Sequence, residues 1–353
     1  MPVLTVNGII SKENLGITLP HEHILLDISF AIKEPEGEKE KSLYQEKVRP
    51  ENIFLLKNSP GLFKDNYMLD NEELAVKELL KFAEAGGASL VDQTSIGAGS
   101  KRIRIGEIAK RTGLNIILGT GFYIKESLPT EIVNLQEKEL IKIMIREITE
   151  GVDNSSLRTG IIGELGIGPK IDSWENKLLK SAAKVQKETG LAISLHIQAV
   201  PTIADFNGGL NGVEAVKILM NSGADIGKTV VCHADAKTDV KYIRSIIKEG
   251  AYVEFDHLGK DFYFADSDFL MDRDFDRIMI LKELINDGLT DRILISQDVC
   301  LKTDLTAYGG LGYAHILRDL IAMMKNKEIS QEAINEITIT NPATLLDIKD
   351  KFL

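Results

Sequence analysis

The chain has 353 residues, of which 44% are hydrophobic and 27% charged, a composition typical of a globular protein with a sizeable apolar core. The formal net charge of −11 argues against a nucleic-acid partner, which would need clustered Lys and Arg. No apolar run approaches the roughly 20 residues that span a bilayer, and no amino-terminal stretch resembles a signal peptide. We therefore expect a soluble, cytoplasmic protein without a membrane partner.

Short runs rich in β-branched residues alternate with longer amphipathic segments along the chain. Within residues 71–87 the apolar side chains fall on one helical face and two glycines end the pattern, and residues 173–190 and 239–250 repeat this form. The predicted strands are residues 16–26, 88–94, 115–123, 160–166, 191–197, 229–235, 251–256 and 292–298.

This alternation favours a (β/α)8 TIM barrel over an open doubly wound sheet. The strands are too uniformly apolar for a sheet with one face in water, and a closed barrel covers both faces. The sequence has no Gly-rich dinucleotide motif after a strand and no P-loop. Residues 31–70 are charged and proline-containing, and we interpret them as an enlarged loop after the first strand. One domain is expected over residues 1–353.

The stretch ITLPHEHILLD, residues 17–27, contains two histidines one position apart. In a β-strand His21 and His23 share one face, while Glu22 points to the other. Such a pair can hold a metal ion, or it can be a core histidine beside a polar strand end. Partners elsewhere in the chain decide between these interpretations.

Further polar side chains follow the apolar parts of other strands, at the carboxyl ends where TIM barrels carry their chemistry. Each of them alone would fit a core histidine, a strand-end carboxylate or a helix cap. Together they favour a metal site, and four imidazoles with two carboxylates suit two metals bridged by one carboxylate better than a single tetrahedral zinc. The predicted ligands are His21, His23, Glu164, His196, His233 and Asp298.

In combination these motifs resemble the phosphotriesterase-like branch of the amidohydrolase superfamily. The resemblance covers nearly the whole chain, through GITLPHEH, SLHIQA, VCHAD, FDHLGKDFYF, ISQDVC and NPATLLDI. It implies two divalent metal ions, and zinc is expected for ligands of N and O type. By this likeness His21, His23 and Asp298 would hold the buried ion, and His196 and His233 the more exposed one.

The bridging group distinguishes this chain from the phosphotriesterases proper, which use a carboxylated lysine. Residues 160–166 contain no lysine, so Glu164 would bridge the metals, as in the glutamate-bridged branch of the family. This difference disfavours a transfer of organophosphate hydrolysis. The implied reaction is hydrolysis by a hydroxide that bridges the two metals, with Asp298 as the proton acceptor.

The loops after the last two strands suggest the substrate. Lys260 and Lys302 follow these strands, with Tyr263 and Tyr308 nearby, and in an acidic chain such lysines attract an anion unless they are ordinary surface residues. Members of the glutamate-bridged branch hydrolyse phosphorylated sugar 1,4-lactones, with the lysine of a GK motif at the phosphate. We therefore predict a lactonase acting on a phosphorylated pentono-1,4-lactone. Tyr123, at the end of the third strand, is a further candidate for substrate contact.

Other activities stay open at this point. A phosphotriesterase or carboxylesterase would use the same metals. Metal-dependent nuclease barrels combine the same ligand types, although the acidic composition disfavours them. A metal-loaded binding protein would bind the ions without turnover. The family likeness also suggests a homodimer.

Overall fold

A barrel of eight parallel strands lies at the centre of the computed structural model, which describes residues 1–99, 101–198, 210–236, 238–264 and 268–348. The strands stand around the barrel in chain order, each paired with the next. They are β1 (Thr18–Glu22), β2 (Ser89–Asp92), β3 (Asn115–Thr120), β4 (Ile161–Ile167), β5 (Ile193–Ile197), β6 (Thr229–Val231), β7 (Tyr252–Phe255) and β8 (Ile293–Ile295).

The barrel closes between β8 and β1. The backbone N–H of Asp298 donates to the carbonyl oxygen of His21 at 3.2 Å, and the hydroxyl of Ser296 donates to the same oxygen at 2.7 Å. Because these bonds lie just beyond β8, they join the two strands at the carboxyl end of the barrel. The prediction of a (β/α)8 TIM barrel is confirmed.

Several strands are shorter than the sequence predicts. The first, predicted over residues 16–26, is Thr18–Glu22, and the last, predicted over residues 292–298, ends at Ile295. β8 ends just before the polar residues 296–298, whereas β1 already contains His21 and Glu22 and ends just before His23.

A helix follows each barrel strand and buries its apolar face. The longest begins after Asp172, whose carboxylate accepts the N–H of Trp174 at 2.6 Å, and ends at Gly190 with φ 74°. None of the described helices is long and apolar enough to cross a membrane. The barrel helices are α1 (Glu72–Glu84), α2 (Ile105–Thr112), α3 (Glu137–Thr149), α4 (Ser173–Thr189), α5 (Gly212–Asn221), α6 (Val240–Lys248), α7 (Asp274–Asn286) and α8 (Ile321–Asn326). Shorter helical segments are Glu38–Tyr44, Thr130–Val133, Gln331–Asn335 and Asn341–Leu346, with π-helical turns at Ile316–Leu320 and Glu336–Thr340.

The loop between β1 and α1 is enlarged, as predicted, and covers residues 23–71. Its two ends are joined by a short antiparallel pair, Leu26–Asp27 with Met68–Leu69. Within it the carboxylate of Asp65 lies 2.8 Å from the ammonium of Lys302. This ion pair fixes the enlarged loop to the loop after β8.

Apolar side chains fill the part of the barrel interior that lies away from the carboxyl ends of the strands, and polar groups occupy the carboxyl end. An amino-terminal hairpin, Pro2–Thr5 with Gly8–Ser11, and the helix Asn341–Leu346 contribute to the same apolar cluster. A third antiparallel pair, Tyr263–Phe264 with Phe269–Leu270, belongs to the loop after β7. The interior side chains of this cluster include Val91, Ile117, Ile161, Ala192, Val230 and Leu294.

Candidate metal centre

The carboxylate of Glu164 lies among four imidazoles at the carboxyl end of the barrel. Its Oε2 atom is 2.9 Å from His196 Nδ1, 3.5 Å from His21 Nε2 and 3.9 Å from His233 Nε2, and its Oε1 atom is 3.5 Å from His23 Nε2. The His196 side chain is 14% exposed, more than any of the other three. One carboxylate in the centre of four imidazoles has the arrangement expected of a group that bridges two metal ions.

Asp298 completes the group of predicted ligands. Its Oδ1 atom lies 3.2 Å from His23 Nε2 and 3.8 Å from His21 Nε2, while its Oδ2 atom lies 3.1 Å from the ammonium of Lys260. Lys260 also donates to the backbone carbonyl of Asp298. The structure thus brings all six predicted ligands together, and their role as ligands stays a prediction.

The backbone conformation at the site is unusual at two of these residues. His233 has φ 59° and Asp298 has φ 48°, the left-handed region that residues other than glycine seldom adopt. At His233 the backbone N–H donates to the carboxylate of Asp256 at 2.9 Å, which supports this conformation. Such backbone conformations cluster at functional sites, where surrounding contacts hold them.

Glu164 reaches the centre because β4 is irregular just before it. The register with β5 shifts between Ile162 and Leu165. The intervening Gly163 has φ 149°, and a Cβ atom there would lie 2.6 Å from the Cβ atom of Ser194. Only glycine fits this close approach of the two strands, so the residue before Glu164 determines where the carboxylate points.

Three of the histidines have their second ring nitrogen fixed by another polar group. Metal-binding histidines commonly have such a partner, which orients the ring and determines the tautomer. The pairs are His21 Nδ1 with Glu254 Oε2 at 3.3 Å, His23 Nδ1 with Thr94 Oγ1 at 2.9 Å, and His233 Nδ1 with Asp256 Oδ1 at 2.9 Å. The Nε2 atoms are therefore the ones that face the centre.

The residues present fit a divalent metal. The buried Nε2 atom of His21 has no hydrogen-bond partner among the described residues, and a buried polar atom without a partner is costly. Two groups of potential ligand atoms meet at this nitrogen: His21, His23 and Asp298, and His21, Glu164 and His233. Imidazole nitrogens with carboxylate oxygens form a donor set that suits zinc and similar ions.

Charge at the centre keeps both carboxylates ionised. Burial raises the pKa of Glu164, but the adjacent imidazoles, His196 foremost, outweigh it and hold this pKa well below its usual value. Burial likewise opposes ionisation of Asp298, yet Lys260 and His23 hold its pKa well below the usual range. Both groups are therefore anionic at neutral pH, the state in which carboxylates bind metal.

The sequence analysis missed several polar residues beside the centre. His257 Nε2 lies 3.7 Å from Asp298 Oδ2, and His257 Nδ1 lies 3.1 Å from Asp235 Oδ1. Glu254 and Asp256 project from β7 and its end toward His21. Acidic residues at alternate positions of an otherwise apolar strand, in the stretch VEFDH, were the signal that could have identified them.

Two of the five predicted substrate contacts line the cavity at this centre, which has a volume of about 110 Å³. They are Lys260 and Tyr123, whose hydroxyl lies 3.4 Å from His196 Nε2. The lining found in the described chain also includes the apolar side chains Ile28, Ala31, Ile124, Phe262, Phe264, Met271 and Leu301. We call this space the metal cavity.

The other three predicted contacts lie outside the described lining of the metal cavity. Lys302 is buried, and its ammonium pairs with Asp65, so its charge is already compensated within the loops. The hydroxyl of Tyr263 donates to Asp268 at 2.9 Å in the exposed part of the loop after β7. Tyr308 lines a different cavity.

The barrel and this buried cluster of histidines and carboxylates define a metal-dependent hydrolase. The chain belongs to the phosphotriesterase family, whose model matches residues 1–346. Enzymes of this family use two metal ions, in agreement with the number of potential ligands at the centre.

Curated relatives cover nearly the whole chain. The phosphotriesterase-related protein of Nematostella vectensis is 34% identical over 354 residues, and the N-acetyltaurine hydrolase of Xenopus tropicalis is 33% identical over 351 residues, each alignment covering 98% of both chains. Among solved structures, a resiniferatoxin-binding protein from Rhodobacter sphaeroides superimposes with a TM-score of 0.92 at 31% identity, covering 98% of this chain and 95% of that one.

Proposed function

We propose that the protein hydrolyses the acyl bond of a small substrate that carries an anionic group close to the scissile carbonyl, with an N-acyl amino sulfonate as the first candidate. The observation that carries this proposal is Lys260, the one lysine or arginine in the described lining of the metal cavity. Its ammonium lies beside Asp298, so it can meet an anion only a few bonds from the reacting carbonyl. The relatives named N-acetyltaurine hydrolases support the same substrate class.

In the proposed site His21, His23 and Asp298 would hold one divalent ion and His196 and His233 another, with Glu164 between them. When bound, such ions polarise a carbonyl oxygen and lower the pKa of a coordinated water.

The side chains around this centre have distinct roles in the proposed reaction. Asp298 is ionised and lines the metal cavity, so it is placed to accept the proton of the attacking water, and its Oδ2 atom lies beside Lys260 and His257. The proton then passes from Asp298 to the nitrogen of the leaving amine as the acyl C–N bond breaks, and His257, held by Asp235, lies beside Asp298 to position it. Tyr123 directs its hydroxyl into the cavity beside His196, within reach of the substrate.

A phosphorylated pentono-1,4-lactone, predicted from the GK motif, is the second candidate. Lys260 supports it as well, since an ammonium binds phosphate and sulfonate alike. A phosphate dianion is best met by two cations, however, and Lys302 lies outside the described lining of the metal cavity. The apolar remainder of the metal cavity also suits a short acyl chain better than a hydroxylated sugar ring.

The experiment compares three substrates on metal-replete protein: N-acetyltaurine, a phosphorylated pentono-1,4-lactone and the same lactone without phosphate. We expect the highest kcat/KM with N-acetyltaurine. A clear preference for the phosphorylated lactone would reject the amino sulfonate in favour of the second candidate. Absence of hydrolysis of all three by protein with both metals bound would contradict the acyl-hydrolase proposal, and a labelled oligonucleotide assay then tests the nuclease alternative.

A further inference from the structure

An arginine of α7 is completely buried beside the loop that carries Lys260. Arg277 lies in the first turn of this helix, and its side chain has no exposed surface. A guanidinium stays charged in a protein, and charged side chains are almost never fully buried unless they are paired. The partners of Arg277 therefore indicate what the buried charge does.

The guanidinium of Arg277 joins the loops that follow β6 and β7. Its Nη1 atom donates to the backbone carbonyl of Lys260 at 2.7 Å, and its Nε atom lies 3.0 Å from Asp235 Oδ2. Asp235 follows β6 and Lys260 follows β7. Because the donors of a guanidinium have a fixed planar arrangement, the two contacts together fix the position of one loop relative to the other.

The same turn of α7 also holds the residue before Lys260. Asp274 Oδ1 accepts the backbone N–H of Gly259 at 2.8 Å and lies 3.5 Å from Arg277 Nη1. Gly259 has φ 94°, a backbone conformation that glycine adopts readily and other residues seldom do. Two side chains of one helical turn thus hold the main chain at Gly259 and Lys260.

The position of the Lys260 ammonium depends on this main chain. Lys260 lines the metal cavity, and its ammonium lies 3.1 Å from Asp298 Oδ2. A lysine has a flexible four-carbon stem, so its ammonium is placed accurately only when the main chain is held as well. Small displacements of a group that positions the substrate can lower the rate strongly. A contact that fixes the carbonyl of Lys260 therefore bears on the reaction.

We propose that Arg277 is a positioning residue, which holds Lys260 in place for the anionic group of the substrate. Arg277 lies outside the described lining of the metal cavity, so it acts through Lys260 and does not touch the substrate. This inference rests on the proposed function, which assigns the anion to Lys260. Replacement of Arg277 by Lys keeps a positive charge near Asp235 but offers a single ammonium, which lacks the planar set of donors that makes both contacts.

The test measures kcat/KM of metal-replete Arg277→Lys on N-acetyltaurine and on an uncharged amide of the same length. The ratio of the two values is the readout, because a general loss of stability or a disturbed proton transfer lowers both values alike. We expect this ratio to fall about three- to tenfold, the scale of one lost hydrogen bond. Arg244→Lys is the matched control and should keep the wild-type ratio, since Arg244 pairs with Glu283 and Asp287 at the surface.

A double variant shows whether Arg277 acts through Lys260. In Lys260→Met the anion has already lost its partner, so adding Arg277→Lys should lower the ratio no further, as expected for two residues that act as a unit. An unchanged ratio in Arg277→Lys, or the same fall with and without Lys260, would overturn the inference. If Lys260→Met alone keeps the wild-type ratio, the proposed function fails and the inference with it.

A second variant serves if Arg277→Lys does not fold. Asp274→Ala removes the acceptor of the Gly259 N–H and loosens the same main chain without changing the guanidinium. The ratio of kcat/KM on N-acetyltaurine to that on the uncharged amide should fall in this variant as well. A wild-type ratio in folded Asp274→Ala, together with a lowered ratio in Lys260→Met, would overturn the inference and leave the proposed function intact.

Discussion

The carboxylate of Glu22 accepts the backbone N–H of Val299 at 2.8 Å. Its other oxygen accepts the N–H of Gln297 at 2.9 Å and lies 2.7 Å from the hydroxyl oxygen of Ser296. These donors flank Asp298, so Glu22, the residue between His21 and His23, holds the segment that carries the last predicted ligand. Glu22 points away from the metal cavity, as the alternation of a strand requires, and still acts on the site.

Replacing Glu22 by Gln should destabilise this segment, because an amide NH2 then faces one of the donors. We expect the free energy of unfolding to fall by about 1 to 3 kcal/mol and the activity to fall with it. Chemical denaturation of the metal-replete protein measures the first effect. Glu84→Gln, at an exposed position of α1, is the matched control and should behave as wild type. Equal stability of both variants would show that these bonds contribute little.

Asp298→Asn keeps the size of the side chain while it removes the proton acceptor. The rate should fall by roughly 100-fold or more, the usual scale for the loss of a general base, while metal content falls only in part. Steady-state kinetics and elemental analysis of the same preparation separate the two effects. Unchanged turnover would assign proton transfer to another group.

Lys260→Met removes the cation that we assign to the substrate anion. We expect kcat/KM for N-acetyltaurine to fall by about 10- to 100-fold, the scale of a charge-assisted hydrogen bond. The same measurement is made with an uncharged amide of the same length. The loss of kcat/KM on this substrate reports the contact of Lys260 with Asp298 alone. The ratio of the loss on N-acetyltaurine to the loss on the uncharged amide is the readout.

Lys302→Met is the matched variant for Lys260→Met. In the wild-type protein the Lys302 ammonium pairs with Asp65 outside the described metal cavity. We therefore expect this substitution to lower the stability of the protein without changing its preference between charged and uncharged substrates. A selective loss on the charged substrate in this variant would return Lys302 to the substrate site. A loss in Lys260→Met that is equal on both substrates would assign Lys260 to the positioning of Asp298 alone.

The pH dependence of stability should include a contribution from Asp274. Burial raises its pKa, but the hydrogen bonds to His315 and to the backbone N–H of Gly259 outweigh this and hold the pKa below its usual value. A lowered pKa in the folded state stabilises the protein above the unfolded-state pKa, and this stabilisation is lost as the pH falls through the folded-state pKa. Asp274→Asn should therefore be less stable by about 1 kcal/mol at neutral pH and should approach wild type in acid. If the difference in the free energy of unfolding between Asp274→Asn and wild type stays constant down to low pH, the ionisation of Asp274 is not its cause.

Much of the candidate site follows from the sequence because two simple rules act together. Side chains alternate along a strand, which puts His21 and His23 on one face, and parallel strands of a barrel all end at the same rim, which gathers the polar residues that end them. These rules located six residues far apart in the chain. The enlarged loop was predicted separately, from the charged and proline-containing composition of residues 31–70.

The parts that sequence reasoning could not supply depend on how loops fold. Lys302 was expected at the substrate, but its surroundings depend on Asp65 in the enlarged loop, a segment with no periodicity to reveal its path. Glu254 and Asp256 were missed because apolar neighbours made β7 look like an ordinary buried strand. The left-handed backbone at Asp298 is not marked by a glycine, and aspartate adopts this conformation only where surrounding contacts hold it.

The most direct test of the central claim is the metal content of wild-type protein beside His21→Ala, His233→Ala and Glu164→Ala. His315→Ala is the matched control, because His315 pairs with Asp274 and Asp319 away from the metal cavity. We expect two equivalents of divalent metal in wild type and in the control, and loss of metal together with hydrolytic activity in the other three. One equivalent or fewer in metal-replete wild type, or full metal content in Glu164→Ala, would contradict a binuclear centre bridged by Glu164.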